Sequence, residues 1–143
     1  MKRFVILCLC SLIIGGTTFA TSSPEPKSNY LTAISSRIEL SFKKGDSDKL
    51  VSLLDDEIEL IIDSEDVKFN KISKEHAGFI LATFFKKNTP NSFSYVYEGN
   101  SSEGLQYSVA KYQSPLKEFM VYVLIKKTKN NLYAIDTLQI REN

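Results

Sequence analysis

The chain predicts an α+β domain with helices packed on the concave face of one curved, mainly antiparallel sheet. Three observations carry this. Apolar residues recur at helical spacing in segments before Pro90, and strand alternation dominates everything after it. Within the last strand the alternation slips by one residue near Asp136-Thr137, which requires a β-bulge, and bulges bend sheets. The expected order is α-α-β-α-β-β-β-β.

The most strongly structured stretch is Phe119 to Lys127, FMVYVLIKK, apolar on both parities and free of Gly and Pro. Such a run fits a central strand covered on both faces.

At 143 residues the chain holds one domain with a substantial core. Its first twenty residues read as a secretory signal. Lys2 and Arg3 precede an apolar run from Phe4 to Ile14, too short to span a bilayer, and Thr18-Phe19-Ala20 offers a cleavage site. An exported protein, periplasmic or secreted, is the expectation. Residues 21–28, TSSPEPKS, read as a flexible leader, and residues 29–143 as the domain. Cys8 and Cys10 both fall in the signal, so the mature chain has no disulfide and depends on its core.

From Asn29, Leu31, Ile34, Ile38 and Phe42 form one helical stripe, closed by Lys43-Lys44 and Gly45. Asp46 is placed to cap a shorter helix that buries Leu50, Val51 and Leu54. Glu57 to Asp63 alternates strictly, with Ile58, Leu60 and Ile62 on one side, and Val67 to Phe69 reads as a brief return strand. Ser73 opens the third helix, lined by Ala77, Ile80, Leu81 and Phe84 and stopped at Thr89-Pro90. In the strands that follow, Phe93, Tyr95 and Tyr97 share one parity, as do Leu105, Tyr107 and Val109. Lys129-Asn130-Asn131 makes a turn suited to positive φ before the last strand.

Composition excludes several classes of function. Without Lys2 and Arg3, 16 basic residues face 17 acidic ones, which leaves no basic excess for nucleic acid. After the signal there is no second apolar run long enough to span a membrane. No P-loop, dinucleotide fingerprint, GxSxG or HExxH occurs, and the single histidine lacks companions for a metal site, so no cofactor and no metal are expected.

Three stretches carry a family likeness: ISSRIELSFKKGDSDKLVSLLDDEIEL, ATFFKKNTPNSF and FMVYVLIKKTKNNLYAIDTLQIRE. With their order, the chain from about Asn29 to Glu142 resembles the DUF4783-type small exported proteins familiar from Bacteroidetes, within the NTF2-like (cone-shaped, cystatin-like) superfamily. The resemblance implies a cone, and a homodimer through the outer sheet face, as in many NTF2-like relatives. It offers no catalytic motif to carry over. Ketosteroid isomerases and scytalone dehydratases in the wider superfamily use polar groups inside the cone, and no such set is matched here.

No catalytic residue is therefore assigned. The reading is a non-catalytic domain binding a small apolar ligand or a protein partner in the cell envelope. Its cone would be lined by Ile34, Ile38, Ile80, Phe84, Tyr95, Tyr107, Val109 and Val121. Alternatively, an isomerase- or dehydratase-like enzyme would use Asp136 as a buried base or His76, helped by tyrosine hydroxyls. A third reading is a pure interaction module, its cone filled by its own side chains. Tyr122 and Leu124, opposite in parity to Val121 and Val123, would give the outer face an apolar strip of the kind that marks partner surfaces.

Overall fold

The structure, a computed structural model, describes residues 27–143. The expected signal, and residues 21–26 of the leader, lie outside the described residues.

Helix α1 (Lys27–Lys44) begins two residues before Asn29 and buries Leu31, Ile34, Ile38 and Phe42. Its end is a Schellman motif: Asp46 N–H donates to the Ser41 carbonyl and Gly45 N–H to that of Phe42, at 2.9 and 3.2 Å. Gly45 takes φ +60°, which a side chain would strain. Asp46 then caps α2 (Ser47–Val51) by accepting from Lys49 N–H, so one short loop ends a helix and starts the next. Helix α3 (Lys74–Lys87) is capped by the Ser73 hydroxyl, which accepts from His76 N–H, and buries Ala77, Leu81, Phe84 and Phe85.

Six strands form one sheet: β1 (Leu54–Ile62), β2 (Val67–Ser73), β3 (Ser92–Asn100), β4 (Gln106–Gln113), β5 (Glu118–Lys127) and β6 (Tyr133–Glu142). Their spatial order is β2-β1-β6-β5-β4-β3, with every pair antiparallel except β1 and β6. The sheet is curved and does not close. The brief return expected at Val67–Phe69 is a full seven-residue edge strand, whose polar make-up reflects its position beyond β1. β5 alternates as its sequence implies: Phe119, Val121, Val123 and Ile125 are fully buried, and Met120, Tyr122 and Leu124 are half-buried on the other face.

The bulge falls where the parity slip requires it. Leu124 pairs with Thr137 and Ile125 with Ile135, leaving Asp136 as the extra residue, so Ile135, Leu138 and Ile140 all face the core. Asn131 has φ +61° in the preceding turn. A second bulge, at Val96, has no counterpart in the sequence reading. It turns Tyr97 to the outer face, separating it from Phe93 and Tyr95.

All three helices lie on one face, and aromatic rings fill the space beneath them. Phe42, Phe84, Phe85, Phe93, Tyr112 and Phe119 form one connected cluster with centroid separations of 4.8–6.2 Å. Burying each such side chain contributes about 1.5–3 kcal/mol, and the described residues contain no cysteine, so this cluster is a major stabilising feature of the fold.

Candidate functional site

Among the described residues, functional groups are presented in the packed interior, a polar recess beside α1, an apolar groove beside β2, the outer face of the sheet, and a charged recess of about 600 Å³ lined by Asp55, Asp56, Glu57, Lys71 and Lys129 among others.

The eight residues expected to line a cone do not share one cavity. Ile34, Ile38, Phe84 and Val121 are packed within the core, against other side chains. Ile80 lies across α3, in an open groove of about 700 Å³ with Phe69, Ile72, Phe79 and His76. Tyr107 and Val109 face the other side of the sheet, since β4 buries Gln106, Ser108, Ala110 and Tyr112 instead. The physical reason is room. Small Ser108 and Ala110 fit beneath the helices, whereas Lys111, on the parity of Tyr107 and Val109, must reach water. Tyr95 reaches a different opening on the helix side.

That opening is a recess of about 210 Å³ between α1 and the β3–β4 hairpin, lined by Ser35, Glu39, Tyr95, Glu98 and Gln106 among others. Tyr95 donates its hydroxyl to the Ser35 carbonyl at 2.8 Å. Burial, and after it the Glu98 charge, pushes the Tyr95 phenol well above its usual range; Glu39 adds to this and the Ser35 hydrogen bond opposes it. The Gln106 Nε2 donates to Ser35 Oγ at 3.0 Å and to Glu98 Oε1 at 3.3 Å. A carboxylate only accepts, so these bonds fix the amide with its Oε1 turned away from Glu98. Gln106 is only 4% exposed, yet Oε1 has no partner, nor has the hydroxyl of buried Ser108. This polar set was invisible to a reading that assigned buried positions by apolarity; the available signal was Lys111.

Neither residue of the alternative catalytic reading is buried. Asp136 is turned outward by its bulge and pairs with Lys126 at 2.9 Å, also accepting from the Thr137 hydroxyl. His76 is exposed on the first turn of α3. Two tyrosine hydroxyls serve the framework: that of Tyr95, and that of Tyr112, which donates to the Asn88 carbonyl at the end of α3. No group of three potential metal ligands occurs among the described residues, and no helix among them is long and apolar enough to cross a membrane.

On the outer face, Tyr107 pairs with Leu124 and Val109 with Tyr122, and Tyr97 lies beside Tyr107 with ring centroids 6.4 Å apart. These residues make a continuous apolar strip that no helix among the described residues covers. Ion pairs Lys111–Glu118 and Lys126–Asp136 border it.

The family model for the domain of unknown function DUF4783 matches residues 35–141. The chain belongs to the DUF4783 family. Solved DUF4783 family proteins share its architecture. One from Bacteroides uniformis is 24% identical over 76% of this chain and 95% of its own, with a TM-score of 0.68. One from Bacteroides ovatus is 22% identical over 75% and 93%, at 0.67. An NTF-2 like protein of unknown function from Silicibacter pomeroyi is 11% identical over 81% and 95%, at 0.60. This DUF4783 protein therefore has the NTF2-like fold. No curated protein matches the chain.

Proposed function

We propose that the protein is a non-catalytic, exported binding domain that works through its exterior, by pairing the outer face of its sheet with a second copy of itself. The observation that carries this is the uncovered strip of Tyr97, Tyr107, Val109, Tyr122 and Leu124, which stays in water unless a partner covers it. Its border carries both signs of charge, so two copies related by a two-fold axis can oppose Lys to Glu or Asp. A mature chain with 16 basic and 17 acidic residues meets its copy without net repulsion. Export is supported by Lys2-Arg3, the apolar run after them and Ala20.

An apolar ligand inside the cone has less support, because aromatic side chains occupy the interior. Sedimentation equilibrium of the mature chain tests the proposal. A dimer is expected that Leu124→Lys dissociates without changing the circular dichroism. A wild-type chain that stays monomeric at its highest soluble concentration, or a dimer indifferent to Leu124→Lys and Tyr122→Lys, defeats it.

A further inference from the structure

We infer that the free edge of β2, with the apolar groove beside it, binds an extended peptide segment. The segment adds to the six-stranded sheet as a seventh strand and alternates acidic with aliphatic side chains. β2 is the outermost strand on the side away from β4 and β5, which carry the uncovered strip, so the inference does not rest on self-association.

Two observations meet at this edge. β2 pairs with β1 alone, so the backbone N–H and C=O groups along its other side have no backbone partner among the described residues. Beside it, between β2 and α3, lies the groove of about 700 Å³, whose lining is apolar except for Lys71, Ser73 and His76 and includes no carboxylate. Phe79 on α3 is 74% exposed and Phe69 on β2 43%, and neither ring stacks on another, unlike those of the buried cluster. Main-chain hydrogen bonds from an edge, with a groove for alternate side chains, are the two requirements for binding a peptide by strand addition.

The strand already paired with β2 indicates the chemistry of the occupant. β1 sets Ile58 against Ile72 and Leu60 against Phe69 on the helix side, while Glu57 reaches Lys71 at 2.6 Å. Lys68 lies opposite Ile61, on the other face from Phe69, and has no ion-pair partner among the described residues. A strand with the alternation of β1 on the free edge would lay aliphatic side chains over Phe69 and Phe79 and bring a carboxylate to Lys68. A second copy of β2 fits this edge poorly. The strand carries two lysines and no acid, so two copies side by side would set like charges together, and lysines on an edge discourage such self-pairing. Charge therefore selects an acidic partner.

The test is NMR titration of the mature protein with a capped peptide of residues 56–63, DEIELIID, and with its match carrying Lys at the four acidic positions. The acidic peptide should bind saturably, more weakly in high salt, and should shift the β2 amides and slow their hydrogen exchange, while the basic match does none of these. Phe79→Gln should weaken binding about tenfold and Lys68→Glu about fivefold. Both positions are exposed, so neither change threatens folding. Absence of saturable binding overturns the inference, as does equal binding of the basic match or indifference to both variants. Two other occupants would also defeat it. β2 amides that shift with protein concentration alone, in the Leu124→Lys variant, assign the edge to a second copy. Loss of exchange protection in β1 means that the peptide replaces that strand instead of extending the sheet.

Discussion

Phe42 stacks on Phe93 with ring centroids 4.8 Å apart and planes 16° from parallel, joining the first helix to the far edge strand. Phe42 also meets Phe85 and Tyr112 edge-on, so one ring ties α1 to α3, β3 and β4. Phe42→Ala should therefore cost about 3–5 kcal/mol, the range for a large aromatic removed from a rigid core. Urea denaturation would show this as a lower midpoint. A loss below about 1 kcal/mol would mean the cluster collapses around the gap.

Tyr112 fastens α3 to the sheet from beneath. Its hydroxyl donates to the buried Asn88 carbonyl, while the Asn88 side chain donates to the Phe84 carbonyl at 3.2 Å. Tyr112→Phe keeps the ring and orphans the carbonyl, an expected cost of about 1–3 kcal/mol. Amide hydrogen exchange should quicken first at the C-terminal turn of α3.

Gly78 is required by contact, not by backbone conformation. A Cβ there would lie 2.8 Å from a methyl of Val51, where α2 crosses α3. Helix propensity alone would make Gly78→Ala stabilising by about 0.5–1 kcal/mol. The clash with a stiff, branched neighbour outweighs this, at about 1–3 kcal/mol. In a Val51→Ala background the sign should reverse, and a double-mutant cycle by thermal melts would detect the coupling.

Acid should weaken the end of β5 in a specific way. Glu118 accepts from the Gln113 and Asn143 side chains at 2.9 and 2.8 Å, and these bonds, with Lys111 nearby, hold its carboxyl below the ordinary 4.5. Between the unfolded and folded values the unfolded chain binds more protons, so stability rises with pH there. The contribution is complete above pH 4.5 and is lost as pH falls through the lower folded value. Glu118→Gln should flatten the acid limb of the unfolding midpoint plotted against pH. An unchanged slope would show that the carboxylate is not held in the folded state.

Local punctuation made much of the fold legible. Gly45, Asp46 and Ser73 each announce one boundary through one hydrogen-bond pattern, and each acts there. The bulge at Asp136 followed from keeping Tyr133-Ile135 and Leu138-Ile140 on one side, a constraint carried wholly within the strand. The polar recess was not legible, because it depends on a face assignment that apolarity gets wrong. Gln106 points inward to Ser35 Oγ and Glu98, and Ser108 is small enough to follow it, while Tyr107 and Val109 occupy the open side. Nor does any local pattern around Val96 announce a bulge, so Tyr97 could not be separated from Tyr95. The parallel pairing of β1 with β6 is a relation between distant segments, beyond the reach of periodicity.

That same pairing decides when the molecule can become itself. Leu60 waits for Leu138, and Ile62 for Ile140, so the strand made last is the one inserted at the middle. As the nascent polypeptide emerges, the early hairpin and the later meander remain two unjoined halves, and long-range closure comes slowly. Until β6 is in place, β1 and β5 have no strand between them, so the union of the two halves hangs on a single insertion.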